Sequence, residues 1–175
     1  MLGVYPIGAG AFAHYAAHLV ATSEQALFLI VEDNEDHALL ICRAFARSNV
    51  VNPVQVVRSG EEALAYLQGT GRYANRLEFP LPSLMLLDLK LTGMDGFDVL
   101  KWVRGQPPLS SLRIVVLTSS SEIRDVNLAY QLGANSFLVK PVDFEDFLRV
   151  AQALQGYWLW TDKAPDIERP RRPQS

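Results

Sequence analysis

The stretch Leu84-Met85-Leu86-Leu87-Asp88-Leu89-Lys90-Leu91-Thr92-Gly93-Met94-Asp95-Gly96 decides the fold. Its first four residues are apolar without alternation, the pattern of a strand buried on both faces. The run stops at a lone aspartate. A turn follows, and Val99, Leu100 and Val103 then mark the apolar face of a helix. A buried strand, an acid at its carboxyl end and a covering helix make one unit of a parallel α/β sheet.

Four more apolar runs repeat this unit on either side: Leu27–Val31, Val54–Val57, Ile114–Leu117 and Phe137–Val139. Between them lie amphipathic segments. Leu40, Ile41, Ala44 and Phe45 form one stripe, and Ala63, Leu64 and Leu67 form another behind the capping box Ser59-Gly60-Glu61-Glu62. A second capping box, Ser119 to Glu122, predicts the start of the fourth helix, and Gly133 its left-handed cap. Phe144, Phe147, Leu148, Ala151 and Leu154 share a face of the fifth. The expected class is α/β, a doubly wound parallel sheet of five strands with five helices. The connection from Gly69 to Pro82 is long for a compact domain.

Composition narrows the function. With 49% apolar and 20% charged residues in 175, the chain has the make-up of a globular domain. A net charge of −3 supplies no basic face for nucleic acid. The single cysteine, Cys42, lies in the first helical stripe as a small hydrophobe; no disulfide can form within the chain, which fits a reducing cytoplasm. Gly8 to Ala21 is apolar, but no Lys or Arg precedes Arg43, and His14 and His18 interrupt a stretch too short to span a bilayer. Residues 1–24 are therefore expected to be an extension and 161–175 a proline-rich polar tail, around a domain at 25–160. The two histidines have helical i, i+4 spacing, but no third metal ligand accompanies them.

In a doubly wound sheet, ligands bind beyond the carboxyl ends of the strands. There the chain places Glu32, Asp33, Glu35 and Asp36 after the first strand and Asp88 after the third. Thr118 follows the fourth, and Lys140 follows the fifth. Two carboxylates 4 Å apart repel by about 4 kcal/mol at an effective dielectric of 20. A hard divalent cation, Mg²⁺ above all, relieves that repulsion and accepts phosphate oxygens. A carboxylate beside it can attack phosphorus, with an ammonium and a hydroxyl stabilising the transferred group.

As an ordered set these residues resemble the receiver domains of two-component response regulators. The matching pieces are Leu29-Ile30-Val31-Glu32-Asp33-Asn34, Leu86-Leu87-Asp88-Leu89-Lys90-Leu91, Met94-Asp95-Gly96, Val116-Leu117-Thr118-Ser119 and Val139-Lys140-Pro141. The resemblance implies the flavodoxin-like strand order 2-1-3-4-5 and a phosphoacceptor at Asp88. It implies Mg²⁺ held by Asp33, Asp88 and the Lys90 carbonyl, with Glu32 acting through water. It also implies phosphoryl contacts from Thr118 and Lys140, a switch pair of Thr118 and Phe137, and a cis Lys140–Pro141 bond. Thr92 stands where the family usually has proline, which implies a less rigid turn with no chemical group missing. The loop before the third strand, Tyr130, Gly133 to Phe137, and Tyr157-Trp158-Leu159-Trp160 resemble single-domain regulators that serve phytochrome-type histidine kinases.

Three functions are weighed. A phosphorylatable switch uses every residue of the set. A dehalogenase-like phosphohydrolase needs an acid two residues after the nucleophile, where Lys90 stands. A receiver-like binding module that is never phosphorylated would have no use for the intact acids. No output domain is expected after residue 160, so signalling is expected to pass through protein contact with a sensor kinase and a second copy. Val126, Tyr130, Val150 and Trp158 are the expected dimer surface, on the fourth helix, fifth strand and fifth helix.

Overall fold

A computed structural model describes residues 26–155. Among them five parallel strands form one sheet: β1 (Phe28–Val31), β2 (Val54–Val57), β3 (Leu84–Leu87), β4 (Arg113–Thr118) and β5 (Ser136–Val139), in the order β2-β1-β3-β4-β5. The helices between and after them are α1 (Glu35–Arg47), α2 (Gly60–Gln68), α3 (Gly96–Arg104), α4 (Ile123–Gln131) and α5 (Phe144–Leu154). This is the expected doubly wound architecture.

Alternate residues of each central strand feed opposite cores, which is why the apolar runs are continuous. Leu29, Val31, Met85, Leu87, Ile114 and Val116 pack under α2, α3 and α4, against Ala63, Tyr66, Val99, Leu100, Val103 and Ala129. Phe28, Ile30, Leu84, Leu86, Val115 and Leu117 pack under α1 and α5, against Ile41, Phe45, Phe147, Ala151 and Leu154. The half-buried Cys42 packs against the second core, and burial pushes its thiol pKa up.

Ser59 caps α2 by accepting from the Glu62 N–H, as expected, although the Glu62 carboxylate accepts from Arg58 N–H rather than closing the box. Gly133, at φ +95°, takes the left-handed turn after α4. Two expectations are corrected. The Ser119–Glu122 box does not form: Ser120 is buried at the end of β4 and spends its hydroxyl on Asp125, so α4 starts only at Ile123. The Lys140–Pro141 bond is trans; a prolyl amide holds its two isomers within about 1 kcal/mol, so the sequence alone does not choose between them. Val150 is half-buried and packs at the margin of the second core.

The long connection is built rather than loose. It carries a short 3₁₀ turn, Gly71–Tyr73, and closes around the edge-to-face rings of Tyr66, Tyr73 and Phe79. Arg76 donates to the carbonyls of Tyr66, Leu67 and Phe79, capping the end of α2. The 1–24 and 161–175 segments, His14, His18 and Trp158 lie outside the described residues. No described helix is long and apolar enough to cross a membrane.

Candidate functional site

β1 and β3 are neighbours with Val31 opposite Leu87, so Glu32 and Asp88 leave the sheet side by side. The ladder extends one residue further, with Glu32 N–H donating to Val57 O and Asp88 N–H to Val31 O. Both side chains are buried, at 1% and 5% exposure. Two buried carboxylates need a cation, and the chain supplies one. Lys140 leaves β5 with its N–H donating to Thr118 O at 2.7 Å, and its Nζ reaches Glu32 Oε2 at 2.6 Å and Asp88 Oδ2 at 2.5 Å.

The third Lys140 contact was not foreseen. Nζ stands 3.2 Å from His37 Nδ1. Nδ1 is also 3.5 Å from Glu32 Oε1, but it cannot donate there while accepting from an ammonium that has only donors. His37 sits on the first turn of α1, whose Asn34 cap accepts from the His37 N–H. Helical side chains tilt toward the N-terminus, which swings the ring back over the strand ends. That tilt was the signal available in the sequence.

Asp33 is half-exposed, and its Oδ2 accepts two hydrogen bonds from Thr92, from N–H at 2.9 Å and from Oγ1 at 2.7 Å. Thr92 therefore does more than loosen a turn. It adds a hydroxyl and an N–H that proline lacks, which corrects the sequence expectation. Lys90 is exposed and its N–H donates to Asp88 Oδ1 at 3.0 Å. Thr118 is fully buried at the end of β4, and its Oγ1 accepts from Ser120 N–H at 3.4 Å. Phe137 is half-buried on β5 beside Val116, and its N–H donates to the Tyr130 hydroxyl at 3.2 Å. Gly96 lets α3 begin directly against Asp88, since a Cβ there would stand 2.3 Å from the Asp88 carbonyl oxygen.

Electrostatics follow from burial and partners. Desolvation pushes the Glu32 pKa up and the Asp88 charge adds to this, while the Lys140 ammonium opposes both. Desolvation acts in the same sense on Asp33, but the two Thr92 hydrogen bonds, with smaller help from its own backbone N–H and from Lys140, outweigh it and hold that carboxyl below its ordinary range. Carboxylate oxygens of Glu32, Asp33 and Asp88 lie within 4.8 Å of one another. An all-oxygen donor set of this kind fits a hard cation such as Mg²⁺ or Mn²⁺, whereas zinc sites draw mainly on nitrogen and sulfur.

The topology and this arrangement of acids, lysine and threonine at the strand ends define a receiver domain of two-component signalling. The chain belongs to the response regulator receiver domain family, which it matches over residues 28–152. It is 39% identical over 142 residues to the probable methanogenesis regulatory protein FilR2 of Methanothrix harundinacea, covering 79% of this chain and 87% of that one. To the response regulator Rcp1 of Synechocystis it is 34% identical over 139 residues, covering 79% and 92%. The Mn²⁺-bound form of Rcp1 superposes with a TM-score of 0.72, covering 80% of this chain and 99% of that chain. The phosphorylated cyanobacterial phytochrome response regulator RcpA is 35% identical with a TM-score of 0.74, covering 81% and 99%.

Proposed function

We propose that this chain is a phosphorylatable switch of a two-component phosphorelay, with residues 25–160 as its working unit. In this reading Asp88 accepts the phosphoryl group of a sensor histidine kinase of the phytochrome type. The observation that carries it is Asp88, buried beside Glu32 and bridged to it by the Lys140 ammonium. The kinship with RcpA, described as a phosphorylated phytochrome response regulator, supports the same assignment. The reading is of a signalling protein of the cytoplasm that takes part in its own phosphotransfer, not of an enzyme acting on a metabolite.

The proposed Mg²⁺ would be held by Asp33, Asp88 and the Lys90 carbonyl, with Glu32 acting through water. The ion would supply charge neutralisation for the acids and for the incoming phosphoryl oxygens. An Asp88 oxygen forms the bond to phosphorus while the P–N bond to the donor histidine breaks, returning the electron pair to its imidazole. The Lys90 N–H at Asp88 Oδ1 fixes the carboxylate plane for that attack. Lys140 then faces a group of about −1.5 to −2 charge, if it resembles other phosphoryl groups at neutral pH. Drawing its ammonium away from Glu32 would pull on Thr118, whose carbonyl holds the Lys140 N–H. Thr118 and Phe137 are the proposed switch pair, with the Thr118 hydroxyl as a second phosphoryl contact.

For output we propose self-association through α4, β5 and α5. Among the described residues Ile123 and Tyr130 on α4, Val139 on β5 and Val142 in the β5–α5 connection expose 75%, 50%, 49% and 102%, apolar side chains that self-association would cover. Val126 on α4 and Val150 on α5 are half-buried. Trp158 belongs to this proposal from the sequence only. The deciding experiment is incubation with acetyl phosphate and Mg²⁺ followed by intact mass. Wild type should gain one phosphoryl group and Asp88→Asn none; equal labelling of both would reject Asp88 as the acceptor, and labelling of neither would favour a receiver-like module that is not phosphorylated.

A further inference from the structure

Of the three carboxylates in the site, Asp33 is the least buried and has no contact with Lys140 among its hydrogen bonds. A half-exposed carboxylate ordinarily samples several rotamers and must be ordered when it takes up a cation. This one is ordered already. Both hydrogen bonds to its Oδ2 come from Thr92, across 59 positions of sequence, joining the end of β1 to the turn after β3. A carboxylate oxygen has two lone pairs, so two donors fill Oδ2 and leave Oδ1 as the free oxygen.

We propose that Thr92 is the positioning residue of Asp33, holding the carboxylate by Oδ2 so that a divalent cation meets Oδ1 as a preset ligand. The backbone N–H sets the direction and the hydroxyl locks it. Neither group touches the reacting atoms, and the effect falls on cation affinity rather than on the transfer step. The inference rests on the metal-binding reading given above. It follows the general rule that partners behind a metal ligand orient it, and that losing one lowers affinity by about 10- to 100-fold.

The test is calorimetric titration of the full chain with MgCl₂, comparing wild type, Thr92→Val and Thr92→Ser. Valine keeps the shape and the backbone bond but loses the hydroxyl, and the position is exposed. Thr92→Val should bind Mg²⁺ about tenfold more weakly, the lower end of that range because one bond survives. Thr92→Ser, which keeps both donors, should bind as wild type does. With acetyl phosphate, the Mg²⁺ concentration for half-maximal labelling should rise in Thr92→Val while the plateau rate stays unchanged, a split that general loss of structure would not give. Equal or tighter Mg²⁺ binding by Thr92→Val, or Thr92→Ser as weak as Thr92→Val, would overturn this inference alone. A wild type that binds no Mg²⁺ would remove the metal reading and this inference with it.

Discussion

Replacing Lys140 with methionine deletes the cation that holds two buried carboxylates together while keeping most of the side-chain volume. Glu32 and Asp88 are at 2% and 5% side-chain exposure, and the ammonium touches both at 2.6 and 2.5 Å. Their oxygens lie within 4.8 Å, which corresponds to a repulsion of about 3.5 kcal/mol at an effective dielectric of 20. Breaking a buried pair by removing one partner costs about 3–5 kcal/mol, the same range. At about 4 °C per kcal/mol for a domain of this size, Lys140→Met should melt about 12–20 °C below wild type in EDTA at pH 8. Mg²⁺ should recover part of the loss, and should raise Tm more in the variant than in wild type, because it no longer competes with an ammonium. The pH dependence has a definite sign. Burial already raises the Glu32 pKa, and without Lys140 only the Asn34 N–H is left to lower it. A folded pKa above the unfolded one favours folding at low pH, and that contribution is lost as pH rises through the folded value. The deficit of the variant should therefore shrink as pH falls from 8 toward 5. Thermal melts in EDTA and in Mg²⁺ at both pH values are the assay. A deficit under about 1 kcal/mol at pH 8, or one that grows on acidification, would refute the reasoning.

Three further outcomes are expected. Gly96→Ala puts a Cβ 2.3 Å from the Asp88 carbonyl oxygen and 2.6 Å from Leu89 Cα, backbone that cannot give way; urea unfolding should show a loss of about 3 kcal/mol, and labelling by acetyl phosphate should slow. Arg76→Met removes three bonds, to the Tyr66 and Leu67 carbonyls of α2 and to the Phe79 carbonyl of the loop before β3, and should cost about 2–3 kcal/mol in urea, yet leave labelling of Asp88 intact. Tyr130→Glu places a charge on the exposed α4 face, and sedimentation at several concentrations should show dimerisation weakened by about tenfold or more if that face self-associates.

The sheet was legible because its periodicity is simple. Each central strand is apolar on both faces, a pattern that only a covered parallel sheet produces over five short runs. Asp88, Lys140 and the acid pair were legible too, because a residue directly after a strand must emerge at the sheet's carboxyl edge. Local chemistry failed where a distant partner competed for the same group. Ser119 to Glu122 has the composition of a helix start, yet Ser120 spends its hydroxyl on Asp125 and the helix begins later.

What the sequence determined by itself, then, was which residues stand at the strand ends and what charge they bring. Which atoms meet was decided by the tertiary structure. Lys140 finds both Glu32 and Asp88 only because β5, β1 and β3 share one edge, and His37 joins them only through the tilt of the first turn of α1. The Thr92 hydroxyl is an ordinary turn residue until the fold brings it, from 59 positions away, onto one oxygen of Asp33. The physical reason is one of range. Periodicity and strand-end position are properties of a few consecutive residues, whereas a hydrogen bond is won or lost over tenths of an ångström, a distance fixed only once every element has packed.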